Sequence, residues 1–352
     1  MAISWQSIKE RIRGWRNGCM DRLGNGKVTR IVVVLVGLYL IVAVFVGIYW
    51  SMTPGEFDVK DNAATVAASH QQSVVVGTTT TATLIHVIET MLNKPGGFIS
   101  NDILPPGVWL DDIANWEYGV LIQSRDLTRA LRESFSRSQS QSKEDLDLGK
   151  AEPSLNFSND SWAVPASESE YKAAIKHLDS YLQRLTVEGN NRSQFYERAD
   201  NLNYWLGTIE TRLGSLSQRL SASVGQRRLS TELTHDYVAQ QQGSSPVAWE
   251  MKTSWTEIDD VYFESRGTAW ALLHFLKAVE VDFADVLAKK NARVSVQQII
   301  RELEATQQTV YSPMILNGSG FGVLANHSLV MASYLSRANA AITDLRDLLS
   351  QG

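Results

Sequence analysis

A chain of 352 residues with 44% apolar and 20% charged residues is neither disordered nor low-complexity, and it is long enough for one large core or two ordinary ones. Its single cysteine, Cys19, excludes an internal disulfide framework and a cysteine-built zinc cage. The net charge of −5 argues against bulk nucleic-acid binding, so no nucleic-acid partner is expected.

Residues 1–30 carry seven basic and two acidic residues. Within them Trp5, Ile8, Ile12, Trp15 and Cys19 recur at spacings that put one apolar stripe on a helix, with Lys9, Arg11, Arg13 and Arg16 around it. Such a basic amphipathic arm suits the surface of a lipid leaflet, with docking to a cytoplasmic partner as the alternative. Gly24-Asn25-Gly26 ends it.

The run Ile31 to Trp50 has no charged residue. At about 1.5 Å per residue it covers roughly 30 Å, the hydrocarbon thickness of a bilayer. Tyr49 and Trp50 stand where amphipathic rings favour the headgroup level. A cleaved signal peptide has a shorter apolar run, about 7–15 residues, and a small-x-small site. Tyr49-Trp50-Ser51-Met52-Thr53-Pro54 offers no such site, so the reading is a retained signal anchor. The basic arm before the span, against Glu56, Asp58 and Asp61 after it, places the N-terminus in the cytoplasm and residues 51–352 across the membrane.

Beyond the span the periodicity is helical. Thr78 to Leu92 has Leu84, Ile88 and Met91 on one face, and Lys94-Pro95-Gly96-Gly97 stops it. Pro95 to Glu117 then reads as a loop. It packs Phe98, Trp109 and Trp116 among breakers at Gly97, Pro105, Pro106 and Gly107, with Asn101, Asp102, Asp111 and Asp112 between them. Aromatics beside acids and amides make it a candidate interaction surface for a glycan, peptide or protein; the alternative is a loop packed down by its own aromatics. Trp116 to Phe135 is a helix, and Ser136 to Pro165 a polar excursion with at most one short helix.

Two heptad series follow, Tyr171 to Leu185 and Phe195 to Leu220, separated by Gly189-Asn190-Asn191. Ser167 with Glu170 forms a capping box before the first. The pair predicts an antiparallel helical hairpin, within one bundle rather than an oligomeric coiled coil. A third series runs from Trp255 to Val286, with Ser265 and Ala269 small enough to admit a close neighbour. Ser295 with Gln298 offers a second capping box ahead of Ile299, Leu303 and Val310, and the last series is Met331 to Leu349. The expected fold is all-α: one N-terminal transmembrane helix, then a mainly helical extracytoplasmic domain with antiparallel hairpins.

Three stretches carry a resemblance: TTTTATLIHVIETMLNKPGG (Thr78 to Gly97), SNDILPPGVWLDDIANWEYGVL (Ser100 to Leu121) and SRSQSQSKEDLDL (Ser136 to Leu148). With the anchor, they resemble an uncharacterised family of single-span inner-membrane proteins of Gram-negative bacteria, carried as a domain of unknown function. The resemblance implies a bacterial inner membrane, with residues 51–352 in the periplasm. It transfers no catalytic residue.

The chemistry-bearing residues form no motif. His86 and Glu89, and Glu232 and His235, are i, i+3 pairs, but only the second has the Glu-x-x-His order that di-metal bundles use twice. Asp145-x-Asp147-x-Gly149 lacks the remaining ligands of a calcium loop. Gly318-x-Gly320-x-Gly322 follows a helix rather than a strand and reads as an interhelical loop. No nucleophile motif occurs, and no metal or cofactor is expected. Glu117, Glu264 and Asp111 are acids that a glycan-cleaving enzyme would use, were they brought about 5–10 Å apart. The leading expectation is a non-enzymatic scaffold of the cell envelope, partnered by the bilayer, an envelope protein or further copies of itself. A carboxylate enzyme acting on peptidoglycan, or a sensor relaying through a partner, are the alternatives.

Overall fold

The computed structural model describes residues 27–137, 144–185, 193–229, 248–310, 314–318 and 323–351. The chain divides into two compact units, Met1–Trp50 and Ser51–Gly352. In the first, helix α1 (Lys27–Trp50) contains a stretch, Thr29–Trp50, long and apolar enough to cross a membrane. Leu35, Phe45 and Ile48 each leave more than half their surface open, the opposite of a soluble core helix. The arm residues Trp5, Ile8, Ile12, Trp15 and Cys19 lie outside the described residues.

Among the described residues the second unit is all-α apart from one short ribbon, in which β1 (Gln226–Leu229) pairs antiparallel with β2 (Ala248–Met251). Its first helix, α2 (Val59–Ser69), is missed by periodicity because it is short and alanine-rich. Val59, Ala63 and Ala67 bury one face, and the Asp58 carboxylate caps it by accepting from the Lys60 and Asp61 amides. Helix α3 (Thr78–Asn93) opens on four threonines, poor helix formers. The carboxylate of Asp282 stabilises that end, accepting from the Thr80 amide at 2.7 Å and from Gly77 and Thr79. It satisfies amides that a helix N-terminus leaves unpaired.

Helix α4 (Asp111–Ala130) continues into a π-helical turn, Leu131–Phe135. Phe135 meets Phe195, Trp205 and Phe283 there in an aromatic cluster. Next come α5 (Leu148–Leu155), α6 (Ser167–Leu185) and α7 (Ala199–Ser221). After the ribbon stand α8 (Ile258–Asp282), α9 (Ala284–Lys289), α10 (Arg293–Thr306) and α11 (His327–Ser350).

Helix α8 is the hub, packing on α3, α4 and α10 and touching α2, α7 and α11. Trp270, Leu272, Leu273, Phe275 and Leu276 are all buried, as an all-round apolar helix requires. Helix α4 lies parallel to it, with Asn115 meeting Asp260 and Phe135 meeting Phe283. Around the hub, α10 runs antiparallel to α8 (Arg266 to Gln307, Glu280 to Arg293) and α11 antiparallel to α10 (Glu302 to Arg337, Lys290 to Gln351). Helix α7 is antiparallel to α11 (Asn203 to Arg346, Ser217 to Ala332) and closes back on α4 through Arg212 and Asp126.

This corrects the expected hairpin. Helices α6 and α7 do not pack as a pair: α6 buries Tyr171, Leu178 and Leu182 while packing on α3 and α5, and α7 buries Leu206, Ile209 and Leu213 while packing on α11. A 3–4 rhythm specifies an apolar stripe and leaves the partner open. Neither expected capping box forms. Ser167 is buried, its hydroxyl donating to the Ser158 and Ser161 carbonyls, and α10 already begins at Arg293, two residues before Ser295. The third series overshoots at both ends, since Trp255 is 83% exposed outside α8 and Phe283 separates α8 from α9.

Candidate interaction surface

After α3, Lys94-Pro95-Gly96-Gly97 reverses the chain, with positive φ at Gly96 and Gly97. The Lys94 side chain folds inward and is fully buried, its ammonium 2.5 Å from the Glu117 carboxylate and 2.6 Å from the Gly97 carbonyl. Glu117, equally buried on α4, also accepts from the Ile99 amide and from the amide and hydroxyl of Ser100. Burial pushes this carboxyl above its ordinary value, while Lys94, Ser100 and Ile99 pull against that. The pair fastens residues 94–100 to α4.

Two further anchors lie in the same loop. Phe98 is buried edge-on against Tyr171, and the buried Asn101 amide donates to the Ser161 carbonyl and the Glu168 carboxylate, both at 2.8 Å. Beyond Asn101 the chain emerges. Ile103, Leu104, Val108 and Trp109 leave half or more of their surfaces in water. A short 3₁₀ turn, Gly107–Trp109, leads into α4. Glycine is favoured at 107 because a Cβ there would sit 2.5 Å from the Cβ of Asp102.

Acids border this apolar patch. Asp102 and Asp111 are exposed, and Asp112 is half-buried. Burial and the nearby Glu168 raise Asp102 despite Lys94. Asp112 is pushed up to about 7 by burial and by Asp111, Asp259 and Asp260. Asp260 is raised in turn by burial and its acidic neighbours, and it accepts from the Asn115 amide at 2.6 Å.

The structure therefore divides the seven candidate residues. Asp102, Trp109, Asp111 and Asp112 share the emergent segment or its border, whereas Phe98 and Asn101 are anchors. Trp116 is a core residue, fully buried with its ring centroid 5.2 Å from that of Trp270, and so is removed from any surface role. Sequence reasoning missed Ile103, Leu104 and Val108. Their signal was there: apolar residues flanking Pro105-Pro106-Gly107 have no period that would bury them.

Of the acids named as enzyme candidates, Glu117 pairs with Lys94 and Glu264 with Arg219, while Asp111 lies exposed on the loop border. His86 and Glu89 stand 3.9 Å apart at the surface, and Asp145 and Asp147 pair with Arg184. Among the described residues no group of three His, Cys, Asp or Glu converges to hold a metal. Glu232 and His235 lie outside the described residues, as do Gly320 and Gly322.

A family model for an uncharacterized protein conserved in bacteria, DUF2333, matches residues 24–352. The chain belongs to the DUF2333 family. That match spans the apolar helix and the whole helical unit, so the resemblance seen in three short stretches extends over nearly the full DUF2333 chain. No curated protein and no solved structure matches it.

Proposed function

We propose that this DUF2333 protein is a single-span protein of the bacterial inner membrane, with a cytoplasmic N-terminus and residues 51–352 in the periplasm, acting as a non-enzymatic interaction protein of the envelope. The supporting observation is the patch of Ile103, Leu104, Val108 and Trp109, exposed on a loop whose base is fixed by Lys94–Glu117 and Asn101. Apolar side chains grouped in water, on a backbone that cannot retract them, are the composition of an interface core. The carboxylate-enzyme reading has less support, because Glu117 and Glu264 are held by Lys94 and Arg219.

The test is a photocrosslinking residue at Val108 in intact cells. A discrete adduct, lost on Leu104→Asp while melting is unchanged, is the expected outcome. An adduct at twice the chain's mass makes the partner a second copy. No adduct from a folded, membrane-located protein overturns the docking role. A reporter active only outside the cytoplasm, fused at Gly352, tests the orientation separately.

A further inference from the structure

A cavity of about 460 Å³ lies beside the patch, within the roughly 300–1,000 Å³ typical of small-molecule sites. Its wall carries both signs of charge: the carboxyls of Asp112 and Asp259 and the guanidinium of Arg266. Phe263, Val310, Met314 and Ile315 supply an apolar remainder. Ser51, Met52 and Thr53, the first three residues after the apolar helix, also line it, with Thr309.

Two polar atoms of the charged side chains, Oδ1 of Asp112 and Nε of Arg266, are buried without a hydrogen-bond partner among the described residues. Arg266 is nine-tenths buried, and its terminal nitrogens donate to the Gln308 and Gln307 carbonyls at the end of α10. Among the described residues it makes no ion pair with a carboxylate, nor does Asp112 pair with a cation. A ligand bearing the complementary charges would supply the counter-ions that these lining side chains lack among the described residues.

We propose that this cavity takes a phosphoethanolamine-type zwitterion, its phosphate on Arg266 and its primary ammonium on Asp112 and Asp259. Among the described residues Asp112, Asp259 and the adjoining Asp111 and Asp260 pair with no cation, which an ammonium supplies, and a phosphate supplies the anion that Arg266 lacks. Such a group exists as a lipid headgroup and as a free small molecule. Covalent continuity favours the lipid, since three residues reach only about 10 Å from the end of the span. The lipid source depends on the span crossing a membrane; the headgroup chemistry does not.

The experiment uses the full-length protein in a maltoside detergent, titrated calorimetrically with O-phosphoethanolamine and with a short-chain phosphatidylethanolamine. Phosphocholine, inorganic phosphate and ethanolamine are the controls. Both phosphoethanolamine probes are expected to bind, with each control at least tenfold weaker, because trimethylation removes the N–H donors and either half alone leaves one pole unpaired. Tighter binding of the lipid identifies the headgroup source, and equal binding identifies the soluble one. Asp259→Asn and Arg266→Gln are each expected to weaken binding at least tenfold. If Arg266→Gln unfolds by releasing the end of α10, Asp259→Asn carries the test, with a melting curve as its control. Absence of binding by both probes, or binding unchanged in a folded Asp259→Asn protein, overturns the proposal.

Discussion

At the scale of single residues, the buried ionisable side chains Lys94, Glu117 and His274 fasten loops to helices. Lys94 and Glu117 are useful only as a pair: removing one strands the other charge in a dry site. Glu117→Ala is expected to cost about 3–5 kcal/mol, read from urea midpoints. The double change Lys94→Met with Glu117→Gln keeps an acceptor for the Ile99 amide and removes the stranded ammonium, so it should unfold at higher urea than Glu117→Ala. The reverse order would show that the charges themselves are not what couples these sites.

His274 is the third such residue. Its Nδ1–H donates to the Trp270 carbonyl at 2.7 Å, and Nε2 accepts from the Phe57 amide at 3.2 Å, with the Phe57 ring stacked on the imidazole at 4.1 Å. That pairing requires neutral imidazole, and burial pushes His274 down to about 4. Between pH 6.5 and 4 the unfolded chain binds the proton and the folded one does not, so stability rises with pH across that window. Acidification from 7 to 4 should remove about 3 kcal/mol through this group. His274→Gln should flatten that part of the pH–melting profile; an unchanged slope would assign the acid sensitivity elsewhere.

At the scale of elements, the α4–α8 crossing shows how two glycines decide a fold. A Cβ at Gly119 would sit 2.2 Å from the Glu264 carbonyl oxygen, and one at Gly267 would sit 2.0 Å from that of Trp116. Glycine in a helix costs about 1 kcal/mol relative to alanine, so alanine would be favoured here if space allowed. Backbone obstructs it on both sides, and the overlap outweighs propensity. Gly119→Ala and Gly267→Ala should each destabilise by roughly 1–3 kcal/mol or more. Gly55→Ala, with nothing within 4 Å of its Cβ, should be near neutral. Ser265 and Ala269 drew attention in the sequence because small residues on an apolar stripe are visible there. Gly119 was not legible, because its need arises from a helix about 150 residues away.

At the scale of the molecule, the antiparallel pairing of α7 with α11 replaces the hairpin with α6 that the heptads suggested. Gly214 and Asn339 face each other across it, a Cβ on the glycine lying 3.6 Å from the asparagine amide. Cysteines at those two positions should therefore be joined by a short bifunctional thiol reagent, whereas failure to crosslink in a folded protein would place α7 elsewhere. The ring through α4, α8, α10, α11 and α7 depends on such pairings between segments distant in sequence.

The sequence by itself determined the apolar span, the all-α class, most of the long helices and the loop from Pro95 to Leu110; the expected loop ran on to Glu117, but Asp111 to Glu117 open α4. These are local properties: an unbroken apolar run, a 3–4 rhythm, and prolines and glycines that forbid a helix. Only the tertiary structure decided which stripe meets which, because any apolar face gains by burial against any other and shape selects among them. It also decided which loop residues stay outside. Trp116 lies one helical turn into α4 and faces Trp270 across the crossing, so it is core. Trp109 precedes the helix in the 3₁₀ turn Gly107–Trp109, where half of its surface remains in water. A side chain's burial depends on what stands opposite it, and that neighbour is supplied by α8, more than 140 residues further along the chain.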